Sequence, residues 1–293
     1  MLFRIAYLKK APARVFRSIV GMGRKEFYEL LPSFEAAYEK SLRKRQRDTE
    51  RSRAPGGGAK PSLNVIEDRL IFILIYFRIY PTQILYGWLW QNSQPWACEW
   101  IHRLTPVLRE ALGYELQLPE RAAATTEDLL KRCPELEFII DGTERPIARP
   151  STEPRQRDNY SGKKKRHTVK NTIVTNRKSK QVIYLGTTVP GKIHDKRAVD
   201  EEPIPFPPGS VVFQDLGYQG YAPSDVSIFL PKKKPRNKEL TDLEKMGNRA
   251  ISSVRIGVEH SISGIKNSRI VHDVYRNRKQ GFDDLVMEVA CGI

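Results

Sequence analysis

The sequence predicts an α/β protein in which a mixed sheet flanked by helices follows an all-α region. Three observations predict it. Apolar residues recur at helical spacing as far as about residue 118. From about residue 130, short apolar runs alternate like strands and stop at polar turns. A long helical stripe then follows those runs, and strands, crossover segments and helices in that order signal a covered sheet. The chain therefore divides into a basic helical region with a Gly-rich linker (1–60), an all-α region (61–118) and an α/β domain (130–293). Its 293 residues suffice to bury a substantial core.

In the first zone Phe27, Leu30, Leu31, Phe34, Ala37, Tyr38 and Leu42 sit at helical spacing in a charged background. Pro32 lies within that pattern and predicts a break. RSRAPGGGAKP closes the zone, and three glycines between prolines read as a flexible boundary. Leu63 to Tyr80 reads as a buried helix stopped before Pro81. Thr82 to Trp90 reads as a second helix capped by Thr82. Ser93 ends a polar turn and caps a third helix with Pro95 in its first turn, carrying Trp96, Trp100, Ile101 and Leu104. Helix, short turn, helix is the spacing of a helix-turn-helix unit, and a small helical bundle shows it equally. Trp88, Trp90, Trp96 and Trp100 read as core residues.

Farther on, Glu137 to Ile140 reads as a strand ending in Asp141. Val169 to Thr175 and Gln181 to Val189 read as a hairpin around the polar turn 176–180. Val211 to Phe213 ends at Gln214-Asp215, and Ser227 to Leu230 is another short run. Residues 240–271 read as one or two helices.

Composition narrows the function. Fifty Lys and Arg against 34 Asp and Glu leave a net charge of +16, which points to a polyanionic partner, nucleic acid before an anionic membrane. The longest apolar run, Leu70 to Phe77, is too short to span a bilayer. The N-terminus MLFRIAYLKKAPARVF has charges scattered through it, unlike a signal peptide, although a basic amphipathic segment also suits an anionic lipid surface. Cys98, Cys133 and Cys291 are far apart, so neither a disulfide framework nor a zinc spacing exists and a reducing compartment is the simplest reading.

Three acidic residues carry candidate chemistry. Asp141 ends an apolar strand, where sites collect at a sheet rim, although Asp-Gly is also a common turn pair. Asp215 repeats the arrangement in VVFQDLGYQGY. If their strands are neighbours, two carboxylates converge, and a divalent cation with oxygen ligands is what makes that tolerable. Glu259 lies on a helix whose apolar stripe is Ile251, Val254, Val258, Ile262 and Ile265. A second stripe of Asn248, Arg255, Glu259 and Lys266 sets Glu259 at the border of the buried face, or in a surface pair with Arg255.

The words around these residues carry a resemblance. IIDGTERPIARP, NYSGKKKRHTVKN, TTVPGKIHDKRAVDE, FQDLGYQGY, LPKKKP and VRIGVEHSISGIKNSRI, in this order, resemble the DDE transposases of the IS-five insertion-sequence group, related to the Harbinger class. The resemblance covers about residues 130–290, and the helices from GGGAKPSLNVIEDRLIFILIYFRIYPT onward resemble the helix-turn-helix that precedes the catalytic domain in that group. It implies an RNase H-like catalytic fold in which Asp141, Asp215 and Glu259 are Mg2+ ligands, with Mn2+ able to substitute. Arg255 and Lys266 match the Arg-x3-Glu-x6-Lys part of a Tyr-Arg-Glu-Lys signature, and Ser252 stands where that signature has Tyr. His194-Asp195 matches a His-Asp pair of the group, and Asp195 is the rival to Asp215 as second ligand. The group continues past the position of Ile293, which implies a shortened last helix.

The implied activity is two-metal strand cleavage and strand transfer at transposon terminal inverted repeats. Implied with it are double-stranded DNA as partner, a homodimer or higher oligomer on DNA, and a bacterial cytoplasmic, nucleoid-associated location. The alternatives are a catalytically inactive, transposase-derived DNA-binding protein and a simple RNase H-like nuclease without strand transfer, against which the helix-turn-helix argues. A charge run is ordinarily a solvated face, but beside so large a net charge Lys163, Lys164, Lys165, Arg166 and His167, with Lys232, Lys233 and Lys234, read as phosphate contacts.

Overall fold

The computed structural model describes residues 5–47, 63–236 and 238–293. The glycine-rich stretch expected as a linker lies outside them. The chain forms two compact units: Met1–Leu118 with Asn267–Val271 and Leu285–Ile293, and Pro119–Lys266 with His272–Asp284. No helix among the described residues is long and apolar enough to cross a membrane.

The first unit is all-α: α1 (Ile5–Lys10), α2 (Ala13–Val20), α3 (Arg24–Arg47), α4 (Ile66–Ile79), α5 (Gln83–Leu89) and α6 (Gln94–Tyr114). Helix α4 is apolar all round from Leu70 to Phe77, and those residues are buried without exception, so this stretch occupies the centre of its unit. Thr82 and Ser93 cap α5 and α6 as their sequence positions predict, each accepting a backbone N–H at 3.4 Å. Two expectations are corrected. Pro32 does not break α3, which runs through it. The proline stands on the exposed side, so the carbonyl it leaves without a donor, that of Tyr28, belongs to a solvent-facing residue, while Phe27, Phe34 and Ala37 bury the opposite face. Trp88 is no core residue: it is 57% exposed, whereas Trp90 and Trp100 are buried.

The second unit holds α7 (Thr126–Arg132), β1 (Glu137–Pro146), α8 (Glu153–Asn159), β2 (Tyr160–Ser161), β3 (Arg166–Asn176), β4 (Val182–Leu185), β5 (Val189–Pro190), α9 (Asp195–Glu201), β6 (Val211–Phe213), a 3-10 turn (Leu216–Tyr218), β7 (Ser227–Phe229) and α10 (Asp242–Lys266). Its sheet runs β2-β3-β1-β6-β7, with β4 and β5 also pairing β3. β1 is antiparallel to β3 and parallel to β6, and β6 is parallel to β7, so the sheet is mixed. The strand expected over Gln181 to Val189 is split into β4 and β5, because the chain leaves the ladder at Thr187 and Thr188, after a last bond from the Gly186 N–H to the Thr172 carbonyl.

Alternation along β1 fills both faces of the sheet. Phe138 and Ile140 join Leu129, Val174, Ile183, Val199 and Val212 in one core. Ile139 joins Phe213 and Val258 in the other, with Ile251, Val254 and Ile262 packed against them. That second set is the apolar stripe of α10, which therefore lies on β1 and β6. Each such side chain, once buried, contributes about 1.5–3 kcal/mol.

Candidate functional site

Asp141 is not in a strand-ending turn. β1 continues through it to Pro146, with Asp141 opposite Ile173 and Gly142 opposite Thr172 on β3. The pairing of β1 with β6 covers only Glu137 to Ile139, so Asp141 lies just beyond its end. Ile139 is in register with Phe213, and both meet Val258 of α10. Two residues farther along, Asp141 follows on the same face of β1 and Asp215 stands just past the end of β6, where it caps the 3-10 turn. The two carboxylates thus arrive side by side, on the face that α10 covers.

Arg255, one turn before Val258, reaches both. Its Nη2 lies 3.7 Å from Asp141 Oδ2 and 3.5 Å from Asp215 Oδ2. This replaces the surface Arg255–Glu259 pair that helical spacing allows. The Gly142 N–H donates to Asp141 Oδ1 at 2.8 Å, and the Gly217 N–H donates to Asp215 Oδ1. Burial pushes the Asp141 carboxyl above its ordinary range, the Gly142 hydrogen bond and Arg255 oppose that, and the charges of Asp215 and Asp195 add to it.

Asp195, the first residue of α9, completes the acidic side. A methyl group on Gly142 would lie 3.0 Å from Asp195 Oδ1, and one on Gly217 would lie 2.8 Å from Asp195 Oδ2 and 2.9 Å from Asp215 Oδ1. Glycine at both positions is what lets the carboxylates approach the backbone. The Lys170 ammonium donates to Asp195 Oδ1 at 2.9 Å and lies 3.8 Å from Glu144, its neighbour across the β1–β3 ladder. Tyr218, buried to 1% exposure, has a hydroxyl with no hydrogen-bond partner. Burial raises its pKa well above the ordinary value and the charges of Asp195 and Asp141 reinforce that, while the nearby Thr172 side chain, too poorly placed for a full hydrogen bond, opposes it, so it stays a neutral donor.

Lys266, at the far end of α10, is half-buried, and burial lowers its pKa. Lys164 and Arg166 lower it further while Asp141 and Glu144 oppose. Lys163, Lys164, Lys165 and Arg166 are exposed around the β2–β3 turn, and His167 packs edge-on to Tyr160 with ring centroids 5.7 Å apart. Arg149, Arg157, Tyr160, His167 and Lys192 line an open cleft there. The second run is partly neutralised: Lys232 pairs with Glu244 and Lys234 with Glu239, while Lys233 is exposed.

Glu259 is not brought to the aspartates. It is exposed, and no ion pair or side-chain hydrogen bond among the described residues engages it. Among those residues no three His, Cys, Asp or Glu side chains stand close enough to grip a metal ion as they are. The donor set nonetheless fits a hard divalent cation: its acceptors are carboxylate oxygens, gathered by the Arg255 guanidinium and the Lys170 ammonium, with a buried hydroxyl beside them. The cysteines are free. Sequence reasoning missed Lys170, Glu144 and Tyr218. The one signal was a lysine inside the otherwise apolar and Thr-rich run of β3.

Comparison with known proteins follows the same lines. The profile of the family described as DDE superfamily endonuclease matches residues 140–293. The probable transposase for insertion sequence element IS702 of Microchaete diplosiphon is 30% identical over 280 residues, covering 95% of this chain and 93% of its own. No solved structure matches the chain.

Proposed function

The chain belongs to the DDE superfamily of endonucleases, with an insertion-sequence transposase among its relatives, and from that premise we propose that it is a DNA transposase. In this reading it binds the terminal inverted repeats of its element, cleaves a strand at each end and joins it to target DNA. The observation that carries the reading is the convergence beneath Arg255 of Asp141, midway along β1, and Asp215, just past the end of the neighbouring parallel strand β6.

Asp141 and Asp215 are the residues that would hold Mg2+, and Glu259 is the third by its place in the Arg-x3-Glu-x6-Lys signature. Bound there, divalent cations supply an activated water or 3′-hydroxyl and stabilise the leaving oxygen. The protein's own groups do the rest. Arg255 neutralises the paired carboxylates in the free protein and offers its guanidinium, whose Nε is buried without a partner, to a phosphodiester. Lys266 brings a second cation to the same edge, and Tyr218 offers a neutral hydroxyl donor. The hairpin of Lys163, Lys164, Lys165 and Arg166 and the cleft beside it would follow the DNA backbone, with Lys233 as a further exposed contact. The all-α unit would read the ends, as helix-turn-helix modules do.

Strand cleavage tests this. DNA carrying the element's own ends is incubated with Mg2+ or Mn2+ and wild type, Asp141→Ala, Asp215→Ala or Glu259→Ala. Metal-dependent nicking at the ends, lost in all three variants, is expected. End binding without cleavage by the wild type would instead identify a DNA-binding relic of a transposase.

A further inference from the structure

Asp195 belongs to the His-Asp motif, for which the signature residues leave no role. We propose that Asp195 is a working member of the carboxylate site, providing ligand oxygen to the divalent cation beside Asp141 and Asp215 and held in position by Lys170. The inference rests on the reading that the first two aspartates hold that cation.

Four observations converge on it. The carboxylate of Asp195 lies against both glycines that flank the aspartate pair: any side chain on Gly142 would meet its Oδ1 at 3.0 Å, and any on Gly217 would meet its Oδ2 at 2.8 Å. Its two oxygens are divided in task. Oδ1 takes the Lys170 ammonium at 2.9 Å, which leaves Oδ2 on the side of Asp215 Oδ1, the other oxygen crowding Gly217. Lys170 is itself buried, with its side chain 9% exposed and Glu144 as its other acidic neighbour at 3.8 Å, so it serves as a fixed anchor. The fourth observation is independent of the acids. The hydroxyl of Tyr218, a residue 1% exposed, has no partner and would lie 3.5 Å from a methyl on Gly142, the same space that Asp195 borders. A buried hydroxyl left unpaired is costly, and an oxygen of a ligand in that space that accepts its hydrogen bond removes the cost. Glu259, by contrast, is exposed and touches none of these groups.

The opposing reading makes Asp195 merely the counter-ion of Lys170. The two differ in metal affinity, which a purely structural ion pair would not change. The full chain without DNA is titrated with Mn2+ alone, and free Mn2+ is followed by electron paramagnetic resonance. Each variant is first shown by circular dichroism to keep the wild-type fold. Asp195→Asn, like Asp141→Asn, is expected to weaken Mn2+ binding by about tenfold or more, the usual loss on removing a group of a metal site. Asp195→Asn within about twofold of wild type, with Asp141→Asn strongly weakened, overturns the inference and leaves the proposed function standing. Indifference of Mn2+ to both variants overturns both. If Asp195→Asn does not fold, Gly142→Ala replaces it, since it keeps every carboxylate and the atoms it meets first are those of Asp195 and Tyr218. Weaker Mn2+ binding is then expected, and unchanged binding overturns the inference.

Discussion

Arg255 holds the metal-free site together. Its guanidinium is the charge within ion-pair reach of both Asp141 and Asp215, and its side chain is 17% exposed. Arg255→Met should therefore lower the stability of the protein in EDTA by about 1–2 kcal/mol, less than for a fully buried pair because Asp215 is partly solvated. Asp215→Asn added to it should restore most of that loss, because the repulsion against Asp141 goes with it. Chemical denaturation of the four proteins of this cycle measures the coupling, and additivity would show that Arg255 is not their counter-charge. Buried tyrosines set a second residue-scale expectation. Burial pushes Tyr221 up to about 12, and raises Tyr184 and Tyr218 as well. A phenol whose folded pKa exceeds its unfolded value of about 10 leaves stability whole below about pH 10 and removes it as pH rises through the folded value. Tyr221→Phe should flatten the loss between about pH 10 and pH 12 by something on the order of 2 kcal/mol, read from denaturation midpoints across that range. An unchanged slope would place the alkaline transition elsewhere.

At the scale of elements, α10 positions the site by where it packs. Val258 is fully buried on Ile139 and Phe213, and this one contact sets Arg255 over the aspartates and turns Glu259 outward. Val258→Ala should cost about 2 kcal/mol, a core truncation on a well-packed face. Met246→Ala, on the same helix but 64% exposed, should stay within about 0.5 kcal/mol. Equal melting shifts for the two would mean that α10 is not anchored through Val258. The helix was readable in advance because its apolar period is long and regular. The strands were harder. β1 runs past Asp141 because β3 continues to offer it partners as far as Thr168, and a partner's length is not written in the strand's own residues.

For the whole molecule, charge decides how DNA is approached. Replacing Lys163, Lys164 and Lys165 with Ala should weaken binding to any DNA sequence and reduce the slope of log K against log salt by about 2–3, since each phosphate contact releases close to one counterion. A fluorescence titration at several salt concentrations checks this, and an unchanged slope would remove the hairpin from the DNA path. The sequence by itself determined the charge, the covered α/β sheet, the caps at Thr82 and Ser93, the stripe of α10 and the family's motif residues. Each of these depends on neighbours along the chain or on composition. Only the tertiary structure decided that Arg255 spans Asp141 and Asp215, that Asp195 and Lys170 join them from α9 and β3, and that Glu259 stays outside. Those contacts depend on strand register and on which turn of a helix lands on a sheet. They bring together residues as much as 114 positions apart, from Asp141 to Arg255, and no local periodicity encodes that distance.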